Sequence, residues 1–151
     1  MPVSADRAAL LARYRDGYAA FAAAVAECDD LDAAADGWTA RQVAHHLADA
    51  EMTSAIRLRR LLAEDAPVIA AYDEETFART LHYVERPVEA SLRAVEAARA
   101  TSLELLERLT EDEWARQGTH SESGPYGVED WLRIYADHPY DHAEQVRNAR
   151  R

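Results

Sequence analysis

The sequence predicts an all-α protein, a four-helix bundle with a long crossover between its second and third helices. Good helix formers are plentiful, while the 151 residues include only five glycines and five prolines. Apolar residues recur at spacings of three and four along four long segments. The connection between the second and third segments is longer than a turn between antiparallel neighbours requires. The length favours one domain over residues 1–151.

The first helix is predicted from about Ala5 to Glu27, and Cys28 follows it. Its apolar stripe repeats every three or four residues and consists of Leu10, Tyr14, Tyr18, Phe21 and Val25. We interpret Cys28 as a small residue near the helix end. A single cysteine excludes an intramolecular disulfide and fits a reducing compartment, so a cytoplasmic location is expected.

The second helix is predicted to begin at a capping box formed by Thr39 and Gln42. The threonine hydroxyl accepts the amide N–H of the third helical residue, whose side chain returns to the cap backbone. The buried side is marked by Val43, Leu47, Leu58, Leu61 and Leu62. Pro67 ends the segment, because proline cannot continue the helical hydrogen bonds.

The third helix is predicted after Pro87, beyond the connection of residues 63–85. That connection is long enough to return along the bundle, so the third helix should run in the same direction as the second. Its apolar seam consists of Val88, Leu92, Val95, Leu106 and Leu109. Arg99 and Ser102 interrupt it: either they face a polar cavity, or the seam drifts onto Ala98 and Leu105. We expect drift.

The fourth helix is predicted over residues 128–148. Before it, Thr110 and Glu113 form a second candidate capping box, which opens a short turn around Trp114. Residues 117–127 are predicted to be a loop because of their glycine and proline content.

The net charge is −11, from 17 basic and 28 acidic side chains. An acidic surface repels phosphate backbones, so no nucleic-acid partner is expected. The basic tail of Arg147, Arg150 and Arg151 is too short to reverse this. No run of about 18 apolar residues exists, so no membrane span is expected.

His138 and His142 are four residues apart, about 6 Å along a helix axis, so both imidazoles could reach one ion. This spacing alone is more often found in core or surface histidines. Pro139 lacks an amide hydrogen, so the carbonyl of Tyr135 loses its helical partner. The expected kink or bulge could turn both histidines toward a common point; the alternative is a helix break that separates them.

His46 lies between Val43 and Ala50 at helical spacing and is predicted to turn inward from the second helix. His45 projects about 100° away from it and is interpreted as a surface residue or as an outer partner of the site. Because ligands in bundles come from facing helices, His46 is expected to join the two histidines of the fourth helix.

The segment Gly37-Trp38-Thr39-Ala40-Arg41-Gln42-Val43-Ala44-His45-His46-Leu47-Ala48-Asp49 resembles the second-helix motif of the DinB/YfiT-like metal-binding proteins. A looser resemblance continues from there to the histidines of the fourth helix. It implies a crossed-over four-helix bundle, a homodimer, and a divalent metal ion held by His46, His138 and His142. It also implies either metal-dependent hydrolysis or the transfer chemistry of enzymes that use a low-molecular-weight thiol.

Three imidazoles without a thiolate suit Zn, Ni, Fe or Mn. They leave at least one coordination position open, as in catalytic sites. A metal-dependent hydrolase or thiol S-transferase that acts on a small-molecule substrate is therefore the first hypothesis. The alternative is a non-catalytic helical bundle that acts by dimerisation, with a structural metal or none.

Candidates for catalytic roles are Arg57, Tyr135 and Asp49. Arg57 lies about 16 Å along the helix from His46, too far to be a ligand, but it could bind a substrate carboxylate or cover apolar surface. Three acidic residues could orient an imidazole or simply be solvated: Asp49, Asp137 and Asp141. His82 and His120 are expected to face solvent, and the three tryptophans to lie in the core or at an interface.

Overall fold

The computed structural model describes residues 5–35 and 37–149, so Arg150 and Arg151 of the predicted basic tail lie outside it. The helices are α1 (Ala5–Ala26), α2 (Ala40–Ala63), α3 (Glu74–Thr80), α4 (Glu89–Leu106), α5 (Glu111–Trp114) and α6 (Val128–Arg147). The four long helices form the predicted bundle, and their ends differ from the predicted ends by a few residues. Both predicted capping boxes are present, at the start of α2 and of α5.

The crossover gives α2 and α4 the same direction, as predicted. Paired residues advance together along both helices: His45 with Ser91, Glu51 with Arg99, and Arg59 with Ser102. Helices α1 and α6 are also parallel, because Arg7 binds Glu129 and Arg13 binds Asp137. The α6 helix runs antiparallel to α2, so residues from the start of one lie beside the end of the other.

Short strands flank the helices. They are β1 (Ala34–Ala35), β2 (Trp38–Thr39), β3 (Val68–Ile69), β4 (Gln117–His120) and β5 (Gly124–Gly127). The prediction of a loop over residues 117–127 is therefore wrong: β4 and β5 form a hairpin, and β4 pairs in parallel with β3 of the crossover. Gly118 permits this approach, since a Cβ there would lie 2.5 Å from the carbonyl oxygen of Pro67. Gly124 supplies the positive φ of 82° at the turn.

The interior contains two apolar clusters with buried polar groups between them. One cluster includes Phe21, Leu47 and Val95, and the other includes Leu58 and Trp131. No helix in the described part of the chain has the length and apolar character needed to cross a membrane.

The prediction that the α4 seam drifts past Arg99 and Ser102 is wrong. Both side chains are buried, while Ala98 and Leu105 are only partly buried. The interior accepts them because it offers polar partners: Arg99 binds Glu51, and the Ser102 hydroxyl accepts a hydrogen bond from Arg59.

Neither the bulge expected at Pro139 nor the alternative, a helix break, is present, because α6 is α-helical from end to end. The carbonyl of Tyr135 would ordinarily accept the N–H that proline lacks. It accepts instead from Nη1 of Arg99, at 3.0 Å. A side chain of α4 therefore replaces the missing hydrogen bond of α6.

Candidate metal centre

The start of α2 determines which way the His46 side chain points. The Oγ1 atom of Thr39 accepts from the Gln42 N–H at 3.1 Å, and the Gln42 side chain accepts the Thr39 N–H at 2.9 Å. This capping box fixes where the first turn begins and hence which face each later residue occupies. Two turns on, His46 faces the interior and the edge of the Trp38 ring.

His138 and His142 lie on one face of α6 opposite His46. The three ring centroids are 4.6–5.9 Å apart. Each ring offers one nitrogen, and these three nitrogens all lie within 4.8 Å of one another. The structure thus brings together the three histidines that the sequence selected, one from α2 and two from α6.

The outer nitrogen of His142 has a partner and the inner nitrogens face each other. Nδ1 of His142 is 2.8 Å from Oε1 of Gln145, which leaves Nε2 directed at Nε2 of His138, 3.1 Å away. Nδ1 of His46 is buried and has no hydrogen-bond partner in the described residues. Lone pairs held this close repel each other unless a proton or a cation lies between them.

Burial keeps the imidazoles of His46 and His142 neutral near pH 7. It lowers the pKa of His46 to about 3, helped by the nearby His142 and His138. Burial also lowers the pKa of His142 to about 4, with His138 adding to the effect. Near neutral pH both rings therefore carry a free lone pair, which is the form that binds metals.

The residues present fit a divalent transition metal. Two nitrogens bound to one tetrahedral ion at about 2.0–2.1 Å are about 3.3 Å apart, close to the 3.1 Å between the Nε2 atoms of His138 and His142. Neutral imidazoles suit Zn, Ni, Fe or Mn rather than calcium, which prefers oxygen ligands. Three protein donors leave a position for another ligand.

A sequence model of the DinB superfamily matches residues 4–146. The chain belongs to the DinB superfamily. A relative from Oceanobacillus iheyensis is 39% identical over 110 residues, which cover 73% of this chain and 63% of the relative. One from Geobacillus kaustophilus is 34% identical over 119 residues, covering 76% of this chain and 65% of the relative. Both are named "putative metal-dependent hydrolase". The chain spans less than two thirds of the length of these relatives.

A solved structure also resembles this DinB-superfamily chain. It is YfiT from Bacillus subtilis, described as "a probable metal-dependent hydrolase with an unusual four-helix bundle topology". The two superpose with a TM-score of 0.88 at 28% identity, covering 96% of this chain and 86% of YfiT. The parallel α2 and α4 helices agree with that description of the topology.

His45 contradicts its interpretation as a surface residue or outer partner of the site. It is completely buried between α2 and α4. Its Nδ1 accepts from the Ser91 hydroxyl at 2.7 Å, and its Nε2–H donates to the carbonyl of Arg86 at 3.0 Å. Because both of its ring nitrogens have partners within the protein, His45 joins α2 to α4 and to the crossover, and it lies outside the cluster of His46, His138 and His142.

Of the candidates for catalytic roles, Arg57 and Tyr135 lie near the three histidines, whereas Asp49 is bonded elsewhere. Arg57 lies nearer to the centre than the helix rise suggests, because its Nη1 donates to the Tyr135 hydroxyl at 3.2 Å and the Tyr135 ring contacts His138 edge-on. Asp49 accepts a hydrogen bond from the Tyr83 hydroxyl. Among the described residues, none of the three acidic candidates forms a hydrogen bond with an imidazole of the centre: Asp49 binds Tyr83, Asp137 binds Arg13, and Asp141 is exposed, although its charge raises the pKa of the adjacent His142.

The two loop histidines lie outside the centre. His82 is exposed, as predicted, whereas His120 is half-buried against the ring of Tyr126. Trp114 and Trp131 are buried in the core as predicted, and Trp38 is half-buried beside His46.

Sequence reasoning missed Gln145 and Glu51 near the centre, and it placed Arg99 away from the polar interior that it occupies. Gln145 follows His142 by three residues, a spacing at which side chains meet on a helix. Glu51 had a visible signal, because it shares the α2 face of Leu47 and Leu58, yet it is an acid among buried apolar residues.

Proposed function

We propose that this chain is a metal-dependent enzyme that hydrolyses a small molecule, with one divalent ion held by His46, His138 and His142. The observation that carries the proposal is the convergence of three imidazole nitrogens within 4.8 Å. Burial lowers the pKa of His46 and of His142, which keeps both rings in the metal-binding form. The names of the DinB relatives support the same reaction class.

The bound ion would supply a Lewis acid with an open coordination position. The chain's own residues would bind and orient the substrate beside it. Trp38 covers one side of His46, and Tyr135 packs against His138. These aromatic rings would exclude bulk water from that side of the substrate.

Arg57 and Tyr135 together form a candidate site for an oxygen atom of the substrate. The Tyr135 hydroxyl accepts from Arg57 and also interacts with the Tyr126 hydroxyl, which raises the pKa of Tyr126 and lowers that of Tyr135, as expected if Tyr126 is the donor. The Tyr135 proton would then be available to a substrate oxygen. Burial raises the pKa of Tyr135 in spite of the nearby Arg57 charge, so the hydroxyl stays protonated near neutral pH. Arg57 has no carboxylate partner among the ion pairs of the described residues. A substrate with a carboxylate or another anionic oxygen would fit this pair.

The metal assignment is tested by elemental analysis of the purified protein. We expect about one divalent ion per chain in the wild type and little in His46→Ala, His138→Ala and His142→Ala. His82→Ala is the matched control, since this exposed histidine lies outside the centre, and it should retain the ion. Equal metal content in all five proteins would reject the proposed site.

The reaction class is tested by assaying metal-loaded protein with ester and amide substrates, and separately with low-molecular-weight thiols and electrophiles. Hydrolysis that is lost in His138→Ala supports the proposal. Thiol consumption without hydrolysis would replace hydrolysis with thiol S-transfer. Neither reaction, together with a stable dimer by light scattering, would favour the non-catalytic alternative.

The role of Arg57 is tested by comparing Arg57→Gln with Arg60→Gln. Arg60 lies on the same helix but pairs with Glu64 at its exposed end. For an anionic substrate, Arg57→Gln should raise KM about tenfold or more, because a hydrogen bond to a charged group contributes about 1.5–3 kcal/mol. Equal KM values in the two variants would remove Arg57 from the substrate site.

A further inference from the structure

Behind His138, opposite its Nε2 atom, lies a buried network to which all four long helices contribute. Its centre is the guanidinium of Arg99. Nη1 donates to Glu51 Oε1 at 2.7 Å and to the Tyr135 carbonyl at 3.0 Å, while Nη2 donates to the Tyr14 carbonyl at 2.7 Å. The guanidinium also lies over the Tyr14 ring, 3.9 Å from its centroid. Arg99 therefore holds Glu51 from α4 while completing the backbone of α6.

Gly17 makes room for this network on α1. A Cβ at this position would lie 2.7 Å from Cγ of Pro139 and 2.8 Å from Nη2 of Arg99. Both contacts are too short for a real side chain, and both are with groups held in a buried environment. The absence of a side chain at Gly17 thus allows Pro139 and Arg99 to pack behind His138.

Glu51 faces His138 with unused hydrogen-bonding capacity. Glu51 is 1% exposed, and its Oε1 lies 3.5 Å from Nδ1 of His138. Nδ1 of His138 is buried with no hydrogen-bond partner in the described residues, and so is Oε2 of Glu51. Leaving a buried ring nitrogen and a buried carboxylate oxygen without partners is costly. Oε1 already accepts from Arg99 but has a further lone pair, and a shift of a few tenths of an ångström would bring Nδ1 of His138 within hydrogen-bond distance of it.

We propose that Glu51, held by Arg99, is a positioning residue for the metal centre: it accepts the Nδ1–H of His138 and so leaves the Nε2 lone pair directed at the ligand position. The inference rests on the proposed function, because it assigns His138 as a ligand through Nε2. Histidine ligands commonly donate their other ring N–H to a carboxylate, which fixes the tautomer and makes the ligand more basic. Pro139 contributes to the same arrangement, because it leaves the Tyr135 carbonyl free to accept a hydrogen bond from Arg99.

A role in stability alone explains the buried ion pair of Glu51 and Arg99 less well. Burying two charges costs several kcal/mol per ion, and such pairs often contribute little net stability. A structural pair also has no need of an imidazole at 3.5 Å. The positioning role explains why Glu51 and Arg99 occupy apolar faces of α2 and α4 directly behind a histidine.

The test compares Glu51→Gln with Ser91→Ala, a matched loss of a buried polar group at the α2–α4 contact away from the metal centre. Glutamine keeps the shape and an acceptor oxygen for Arg99 but removes the charge. The zinc dissociation constant is measured by competition with a chromophoric chelator. We expect a 10- to 100-fold increase for Glu51→Gln, as is typical when an outer partner of a metal ligand is changed, and no change for Ser91→Ala.

A spectroscopic measurement separates positioning from stability, and its first part uses only the wild-type protein. In zinc-loaded wild-type protein, NMR should show the Nδ1–H proton of His138 as a downfield signal that exchanges slowly with water. In Glu51→Gln this signal should move upfield, because the acceptor has lost its charge. In Ser91→Ala it should stay in place.

Two outcomes would overturn the proposal. One is a dissociation constant for Glu51→Gln within twofold of the wild-type value; the other is a wild-type His138 that carries its proton on Nε2. Glu51 would then be half of a structural ion pair. Failure of the proposed function itself looks different, because zinc binding would then be unaffected by His138→Ala as well.

Discussion

His45 and His46 are neighbours in α2, yet they occupy opposite kinds of environment. Both nitrogens of His45 have hydrogen-bond partners at the α2–α4 contact. His46 faces α6, its Nδ1 has no partner in the described residues, and its ring lies against those of His138 and His142. Burial is similar for the two, so burial does not distinguish them. What distinguishes them is whether other groups of the protein form hydrogen bonds with the ring nitrogens. A buried ring nitrogen without such a partner is available to bind a ligand.

The largest difference between the two histidines is expected in zinc affinity. His46→Ala should weaken zinc binding by more than about 100-fold, beyond the effect expected for an outer partner. His45→Ala should leave zinc affinity within a few-fold of the wild type. Zinc titrations of both variants, monitored by calorimetry, make the measurement. Equal losses of affinity would mean that the two histidines do not have separate roles.

Stability should show the reverse order. His45→Ala leaves the Ser91 hydroxyl and the Arg86 carbonyl without their partner and should lower the free energy of unfolding by about 2–4 kcal/mol. His46→Ala removes a group with no such partners and should cost the metal-free protein less. Urea unfolding of metal-free protein provides the values. A greater loss for His46→Ala would contradict the assignment of His45 as the structural residue.

The stability of the metal-free protein should depend on pH through His46. The pKa of His46 is lowered from 6.5 to about 3 by burial and by the other two histidines. The unfolded chain therefore binds protons first, so this contribution is fully present above pH 6.5 and is lost as the pH falls toward 3. Each such proton lowers the free energy of unfolding by about 1.4 kcal/mol per pH unit.

The control for this pH effect is His46→Gln, which cannot take up the proton. Between pH 6 and 4, metal-free wild type should lose stability more steeply than the variant, by a slope that corresponds to about one proton. Urea midpoints at several pH values give both slopes. Parallel curves would show that His46 titrates alike in the folded and unfolded states.

The smallest effect is expected at Thr39, which begins the helix that carries both histidines. Thr39→Ala removes the hydroxyl of the capping box and should cost about 1 kcal/mol of stability. Because both histidines stay on the same helix, zinc affinity should change by less than about threefold. Thermal unfolding and zinc titration test this together. A large loss of affinity would mean that the first turn of α2 sets the site more directly than its hydrogen bonds indicate.

Local patterns predicted much of this molecule. The four long helices, both capping boxes, the parallel crossover and the convergence of three histidines follow from apolar periodicity, cap residues and connection length. The hairpin of residues 117–127 did not, because its strands are short and depend on pairing with β3, which is distant in sequence. Strand pairing of this kind is set by tertiary contacts and leaves a weak local pattern.

The sequence analysis also did not predict the buried polar contacts, and Arg99 shows why. A seam interrupted by arginine and serine fits both helix drift and buried polar contacts, and only the position of Glu51 on another helix decides between them. The same is true of His45, whose role depends on Ser91 and on a carbonyl of the crossover. Pro139 predicts a lost hydrogen bond correctly, but the donor that replaces it comes from a different helix.

X-ray absorption of zinc-loaded protein shows whether α2 and α6 together bind one ion. We expect three imidazole nitrogens at about 2.0–2.1 Å together with at least one oxygen ligand, such as water, from outside the chain, and two imidazoles in His46→Ala. A zinc ion bound by fewer than three imidazoles, or by the sulfur of Cys28, would contradict it.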